Sequence, residues 1–137
     1  MPLEVEIVTP ERVLLQARVD ELNVPGELGY LGILPGHTAF LTTLGEGELM
    51  VRQGAEQRFL AIFRGYMEVN DDKVTILAET AESGDEIDRP RAESARDRAE
   101  DRLRRTQEVD IDFERARAAL MRSMIRLQVA SKSPARV

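Results

Sequence analysis

The sequence contains no cysteine, and this absence excludes several kinds of chemistry. Disulfides, thiol catalysis and cysteine metal sites are ruled out, and a reducing compartment is compatible with the composition. The chain has a single histidine, His37, and a lone histidine without cysteine is a weak ligand set for a metal. No serine nucleophile motif, phosphate-binding loop or dinucleotide-binding glycine spacing occurs. The sequence therefore carries no enzyme signature, and we expect His37 to be a structural or interface residue.

Long apolar runs are also missing. None approaches the ~20 residues that span a bilayer, so we expect any membrane association to pass through a protein partner. The start of the chain, Met1-Pro2 followed by acidic residues, predicts no signal peptide. With 32% charged and 42% apolar residues among 137, the composition predicts a folded protein. This length allows one domain, or one small domain with an appendage.

Charge is unevenly distributed along the chain, whose net charge is −6. Residues 1–86 carry 16 acidic and 6 basic side chains, whereas residues 87–137 carry 9 acidic and 13 basic ones, of which 12 are arginine. Such a split indicates two segments in different surroundings. The acidic first segment would oppose binding to duplex nucleic acid, so no nucleic-acid partner is expected.

The first segment has the pattern of short strands. Apolar and polar residues alternate over residues 3–8 and 19–24, a hairpin signal lies at residues 70–73, and no helical period occurs before Ser83. The stretch 23–47 holds six of the nine glycines, which predicts tight turns between strands. Together these features predict an antiparallel β-sandwich or barrel over residues 1–84. Its inward-facing residues should include Val19, Leu22 and Val24.

After residues 83–84 the hydrophobic period becomes helical. Small apolar residues at intervals of three and four predict a helix over residues 90–105, and they are Ala92, Ala95, Ala99 and Leu103. The N-cap of this helix is expected to be Asp88 or Arg89. After a polar link at residues 106–110, a second helix is expected to place these residues on one face: Phe113, Ala116, Leu120, Met124 and Leu127. The short link predicts an antiparallel two-helix hairpin, and residues 131–137 should form a frayed tail.

Such a hairpin buries little apolar area, so it is unlikely to be stable alone. We expect it to lean on the β domain, on a partner or on a ligand. Its arginines permit two interpretations: if the sides of the two helices converge, they form a guanidinium pocket suited to phosphate, and otherwise they form a salt-bridged surface with nearby carboxylates. The arginines concerned are Arg91, Arg98, Arg102, Arg105, Arg122 and Arg126.

Short motifs follow one another in a recognisable order along nearly the whole chain. They are residues 8–10 (VTP), 32–37 (GILPGH), 72–78 (DKVTILA), 87–92 (IDRPRA), 110–113 (DIDF) and 124–127 (MIRL). Each motif alone is weak, but their order over a β-rich half and a helical half resembles the epsilon subunit of bacterial F-type (F1Fo) ATP synthase. The resemblance implies a ten-stranded N-terminal antiparallel β-sandwich, residues 1–84, and a C-terminal two-helix hairpin, residues 85–137.

The resemblance also implies a role. It implies a non-catalytic rotor subunit that couples proton flow to ATP synthesis and binds the gamma subunit and the c-ring on the cytoplasmic face of the bacterial plasma membrane. An extended hairpin would reach the alpha/beta catalytic head and inhibit ATP hydrolysis, and a folded-down hairpin would permit turnover. The contacts implied for the c-ring are Tyr30, Leu31, Gly32 and Ile33, and His37 matches a position near gamma. Tyr30 is a departure, since this position is often acidic in relatives.

Some bacterial members bind ATP as a regulatory ligand, through an Ile/Leu-Asp-x-x-Arg-Ala motif that residues 87–92 match. The resemblance thus implies a nucleotide site at Glu82, Ile87, Asp88, Arg91, Ala92, Arg98, Arg122 and Arg126. Pro90 inside the motif lacks a backbone donor and is expected to shift the helix start and weaken affinity. Two other hypotheses stay open: a stand-alone ATP-binding sensor, and a small enzyme that acts through His37.

Overall fold

The computed structural model describes residues 2–105 and 112–133. Seven strands precede two helices within these ranges. The strands are β1 (Leu3–Val8), β2 (Val13–Val19), β3 (Glu21–Gly26), β4 (Gly29–Ile33), β5 (Phe40–Gln53), β6 (Glu56–Asn70) and β7 (Lys73–Ser83). A 3-10 turn (Gly84–Glu86) leads to helices α1 (Arg89–Arg104) and α2 (Phe113–Ser131). The predicted fold class, a β-sandwich followed by a helical hairpin, is confirmed.

The strands are hydrogen-bonded in the order β2-β1-β7-β6-β5-β3-β4. All neighbours are antiparallel except β1 and β7, which run parallel with Val5 opposite Val74. A parallel pair needs a long connection, and here β2 to β6 supply it without a crossover helix. The antiparallel prediction therefore holds for every pair of neighbours in the described sheet except this one.

The three longest strands turn a common corner. On β6, Leu60 and Ile62 are buried before the corner and Met67 and Val69 after it, so the alternation changes from even to odd numbers. Arg64, between them, has φ of +63° and is itself left out of the pairing with β5 and with β7. The register is the same before and after Arg64, so no strand gains a residue relative to its neighbours at the corner.

β5 and β7 change phase at the same level, after Leu44 and after Ala78 respectively. Gly65 is required at this corner, because a Cβ there would overlap the backbone carbonyl of Leu77. Each long strand therefore continues through the bend where the resemblance implied separate strands. This continuity explains why the described part of the chain has seven strands and not ten.

The main core lies inside the sandwich and draws on all seven strands. The residues predicted to face inward, Val19, Leu22 and Val24, are all buried there. No helix in the described ranges is long and apolar enough to cross a membrane.

Both helices begin at an aspartate cap. Asp88 accepts a hydrogen bond from the Arg91 backbone N–H at 3.1 Å, and Asp112 does the same for Arg115 at 3.1 Å. Such caps satisfy one of the amide groups left unpaired at a helix start. Pro90 lies in the first turn of α1, where its missing N–H costs nothing, and it does not displace the cap from Asp88.

The predicted inward face of α2 is partly wrong. Ala116 is buried as predicted, and Leu120 and Leu127 are half-buried, but Phe113 and Met124 are exposed. The other buried positions belong to Ser123, Val129 and Ala130. Small residues replace large ones on this face because α2 packs closely along α1, whose buried residues are Ala92 and Ala99. The predicted frayed tail is also wrong where it is described, since Ser131 ends the helix and residues 132–133 contact the sandwich. The predicted link at residues 106–110 lies outside the described residues.

Candidate functional site at the hinge of the hairpin

The hairpin lies against the sandwich through a second, smaller apolar cluster. This cluster joins β6 to the last turns of α2 and consists of Ala61, Phe63, Ile87, Val129 and Ala130, flanked by Phe59 and Ile125. β6 can serve both cores because residues 60–63 are buried on both faces of the strand. The hairpin was expected to lean on the β domain, on a partner or on a ligand, and it packs against the β domain.

Arg126 binds the sandwich at one end of this cluster. Its Nε donates to Glu82 Oε1 at 2.7 Å, and its guanidinium lies 4.8 Å from the ring centre of Phe63. Both charged side chains are 29% exposed, so solvent only partly screens the pair. The arginine is thereby fixed in position by a carboxylate and an aromatic face at once.

Lys132 makes a second contact of the same kind. Its Nζ lies 2.9 Å from Glu48 Oε2 on β5 and 5.4 Å from the ring centre of Phe59. A third link joins the helices themselves, since the Arg89 guanidinium donates to the backbone carbonyl of Ala130. The end of α2 is therefore held by its own two cations, Arg126 and Lys132, which contact the sandwich, and by one arginine from α1.

A cavity of about 480 Å³ opens where the sandwich, the 3-10 turn and both helices meet. Its size is within the range of small-molecule sites. The lining residues are Glu82, Glu86, Ile87, Asp88, Arg91, Ala92, Ala95, Arg98 and Arg126. Seven of the eight residues implied for the nucleotide site thus surround one space.

Arg122 is the residue of that set that does not line the cavity. It lies one helical turn before Arg126 and is half-buried. Glu86 and Ala95 line the cavity without having been expected. A signal existed for both, because Glu86 directly precedes the Ile87-Asp88 motif and Ala95 belongs to the alanine seam of α1.

The cavity has a polar and an apolar part. Ile87 and Ala92 are buried and supply apolar surface beside it. One oxygen of Asp88 is engaged by the Arg91 N–H, and Glu82 is paired with Arg126. Within residues 2–105 and 112–133, the exposed side chains of Arg91 and Arg98 form no ion pair, so these are the two cations able to take an anion.

Glu86 is held from outside the cavity by Arg12, in the turn between β1 and β2. The two guanidinium nitrogens lie 2.6 and 3.3 Å from the two carboxylate oxygens, a bidentate pair. The hydrogen bond and the charge of Glu86 raise the pKa of Arg12 above its ordinary value. Sequence offered no signal for this pair, whose members lie 74 positions apart.

The residues implied for partner contact lie at the β3–β4 end of the sandwich and beyond it. Tyr30 is 55% exposed, Leu31 is half-buried and Gly32 is exposed, whereas Ile33 is buried in the core with 1% of its surface exposed. A partner could therefore reach Ile33 only through its backbone. Leu28, in the turn between β3 and β4, is fully exposed and was not among the implied contacts.

His37 makes local contacts. Its Nδ1 lies 2.8 Å from the Thr38 carbonyl oxygen, and its ring meets the edge of Phe40 at 5.8 Å between ring centres. A catalytic histidine needs a nucleophile or a second acid-base group beside it. Among the described residues, neither of these contacts is such a group.

The fold and the cavity define a two-part protein: a β-sandwich that carries a docked helical hairpin, with an anion-compatible cavity at their junction. Comparison with known families gives the same division. The family described as "ATP synthase, Delta/Epsilon chain, beta-sandwich domain" matches residues 2–84, and "ATP synthase, Delta/Epsilon chain, long alpha-helix domain" matches residues 85–131. The chain belongs to the ATP synthase delta/epsilon family, whose members are non-catalytic subunits.

Individual relatives agree over nearly the full length. The chain is 50% identical over 131 residues to the ATP synthase epsilon chain of Geotalea daltonii, covering 96% of this chain and 95% of the relative. It is 48% identical over 130 residues to ATP synthase epsilon chain 2 of Syntrophotalea carbinolica, covering 95% and 94%. A chain in the cryo-EM structure of the Euglena gracilis mitochondrial ATP synthase shares the fold, with a TM-score of 0.68 and 22% identity over 95% of this chain and 78% of that one.

Proposed function

We propose that the chain is a regulatory rotor subunit of a bacterial F-type ATP synthase, on the cytoplasmic face of the plasma membrane. In this proposal residues 1–84 bind the gamma subunit and the c-ring, with Tyr30, Leu31, Gly32 and Ile33 at the c-ring and His37 near gamma. Residues 85–137 form the regulatory part. The docked hairpin permits turnover, and the released hairpin extends to the alpha/beta catalytic head and inhibits ATP hydrolysis.

The observation that carries this proposal is the kind of contact that holds the hairpin. The apolar cluster beneath it contains five buried residues, two of which are alanines, and two partly exposed ion pairs complete the contact. Exposed or partly exposed ion pairs each contribute little to stability. An element held so lightly can exist in two arrangements with similar free energies, as a regulatory switch requires.

Release would also uncover surface that another protein could bind. Phe113, Met121 and Met124 are already exposed on α2 when the hairpin is docked. Undocking adds Ile125 and Val129 to them. The extended hairpin would then present an apolar surface flanked by basic side chains, which suits binding in a groove of the catalytic head.

The test is ATP hydrolysis by a catalytic head that lacks this subunit, to which either the whole chain or residues 1–86 are added. Residues 1–86 retain the entire main core, so the sandwich should fold by itself. We expect both forms to bind gamma and only the whole chain to slow hydrolysis. Equal rates with both bound forms would refute a regulatory hairpin, and failure of both to bind gamma would refute the rotor assignment.

We further propose that the hinge cavity binds ATP. Arg91 and Arg98 would hold the phosphates, since they are the cations of the cavity without an ion pair among the described residues. Ile87 and Ala92 would contact the adenine ring, and the carboxylates of Glu82 and Asp88 could accept from its amino group. Arg122 would have to turn toward the cavity to take part.

Bound ATP would stabilise the docked hairpin. The cavity is lined by Glu82 from the sandwich and by Arg126 from α2, so undocking dismantles it. A ligand that binds only one of two states favours that state by an amount that grows with its concentration.

A matched pair of variants tests this site by calorimetric titration with ATP. Arg98→Gln removes a proposed phosphate ligand, and Arg104→Gln removes a cation of the same helix that lies outside the cavity and pairs with Glu100. A charge-assisted hydrogen bond implies an affinity loss of about tenfold or more for the first variant. An equal affinity in the two variants would refute the site.

The alternative is a stand-alone ATP sensor. It would bind ATP through the same cavity but would not bind gamma. Co-purification with gamma therefore separates the two proposals.

A further inference from the structure

The ladder between β3 and β5 has a gap that Tyr30 closes. The strands pair at Asn23 with Met50 and at Gly26 with Leu44, and the register is irregular between these points. Pro25 lies in the gap and has no N–H to donate to β5. In the same gap the Glu48 backbone N–H donates to the hydroxyl oxygen of Tyr30 at 3.1 Å. A side-chain oxygen is thus the acceptor where the register of β3 and β5 is irregular.

The position of the Tyr30 ring is fixed by two neighbours. Tyr30 pairs with Pro25 across the β3–β4 hairpin. A Cβ on Gly47 would lie 2.9 Å from the Tyr30 hydroxyl and 2.8 Å from Pro25 Cβ. The glycine therefore leaves the room that the ring needs to reach β5, and a larger residue would push the ring away.

Glu48 connects this tyrosine to the hairpin. Its side chain is only 13% exposed, and Oε2 accepts from Lys132 at 2.9 Å. Its Oε1 is buried and has no hydrogen-bond partner among the described residues. Within the described part of the chain Lys132 is the partner that holds this carboxylate, and a largely buried carboxylate is sensitive to small displacements of its partner.

We propose that Tyr30, Glu48 and Lys132 couple the β3–β4 tip of the sandwich to the docking of the hairpin. A partner that engages the exposed tip and draws the Tyr30 hydroxyl away takes from the Glu48 N–H its acceptor within the protein and leaves this amide to water. Glu48 then shifts, its contact with Lys132 weakens, and the hairpin is released. The proposal rests on the proposed function in one respect, that the c-ring is the partner at this tip.

The β3–β4 tip is accessible to a partner that could move Tyr30. Leu28 is fully exposed beside Tyr30, and the tyrosine keeps more than half its surface in solvent while its hydroxyl is engaged. A partner can therefore contact the ring directly. No other described side chain is hydrogen-bonded to the Glu48 N–H, so movement of the ring removes the side-chain contact that links the tip to Glu48.

The test measures docking in the full chain without ATP, gamma or a catalytic head. Because the chain has no cysteine, Ala55→Cys and Ser94→Cys place two unique spin labels on exposed positions of the sandwich and of α1. Distances between the labels give the ratio of undocked to docked molecules. Tyr30→Phe removes only the hydroxyl, and Tyr66→Phe is the matched control on an exposed tyrosine elsewhere in the sandwich.

We expect Tyr30→Phe to raise the undocked-to-docked ratio by up to about tenfold, the effect when the whole free energy of one neutral hydrogen bond is transmitted to docking. Tyr66→Phe should leave the ratio unchanged. Lys132→Gln should raise it further, and Tyr30→Phe combined with Lys132→Gln should give less than the product of the two single effects, since both act through Glu48.

Two results would overturn the coupling: a ratio for Tyr30→Phe equal to that of Tyr66→Phe, or single effects that multiply in the double variant. Neither depends on the enzyme complex. Failure of the whole chain to slow ATP hydrolysis would refute the proposed function and leave this coupling intact.

Discussion

Gly84 offers a way to undock the hairpin without touching either ion pair. A Cβ at this position would overlap Ser133 Oγ and would lie 3.0 Å from both Ser133 Cβ and the Phe59 carbonyl oxygen. Gly84 does not have a left-handed backbone conformation, so alanine is compatible with its φ. The main obstacle to Gly84→Ala is therefore the end of the docked hairpin.

The magnitude follows from the two neighbours. Overpacking in a closed site costs about 1–3 kcal/mol. Ser133 lies just beyond the end of α2 and can move, which places the cost at the lower end, about 1 kcal/mol. That cost corresponds to a rise of about fivefold in the undocked-to-docked ratio. The tight approach to the Phe59 carbonyl lies within the sandwich and should lower the stability of both states equally.

The assay is the distance between spin labels at positions 55 and 94, as described above. The control is Gly84→Ala combined with Ser133→Gly, which removes the side chain that the new methyl group meets. We expect the control to return most of the docked population. If Gly84→Ala docks as well as the unmodified chain, or if adding Ser133→Gly does not restore the docked population, the contact between residues 84 and 133 does not govern docking.

Three further predictions concern the hairpin and the sandwich. Asp88→Ala removes the N-cap of α1 and should cost about 1 kcal/mol of helix stability, seen as lower helicity by circular dichroism, and Asp112→Ala should cost α2 a similar amount. Ile62→Ala leaves a cavity in the main core and should cost about 2–5 kcal/mol in chemical denaturation, whereas an unchanged midpoint would contradict its placement. Raising the salt to about 1 M should increase the undocked fraction, because the pairs made by Arg126 and Lys132 are partly exposed, and an unchanged fraction would assign docking to the apolar cluster alone.

The sequence was sufficient for the architecture because its two periods are distinct. Apolar and polar residues alternate up to Ser83, and a helical period begins at Pro90, so the sequence predicted where the sandwich ends and the hairpin begins. The predicted inward-facing residues of the early strands were also confirmed. The corner through Arg64 and Gly65 was not predictable in the same way. In the sequence of one strand, a change in the alternation of buried and exposed residues has the same appearance as a loop. A bend is recognised only because the alternation changes at the same level in three paired strands.

The predicted face of α2 is correct at Ala116 and wrong at Phe113 and Met124, because large apolar residues do not mark the contact between these two helices. Close packing of the two helices instead requires small residues, and these recur at intervals of seven: Ala92 and Ala99 on α1, and Ala116, Ser123 and Ala130 on α2. That repeat was visible in the sequence. By contrast, no local pattern could have paired Arg12 with Glu86 or Tyr30 with Glu48, since sequence-distant contacts depend on the register of the strands.

The central claim is that release of the hairpin inhibits hydrolysis, and one measurement tests it directly. ATP hydrolysis is followed with a catalytic head reconstituted with the unmodified chain, with Gly84→Ala, or with Gly84→Ala and Ser133→Gly. If release inhibits, the Gly84→Ala complex is the slowest and the double variant returns toward the rate of the unmodified chain. A Gly84→Ala complex that is undocked by spin-label distance yet hydrolyses ATP as fast as the unmodified complex would contradict the account.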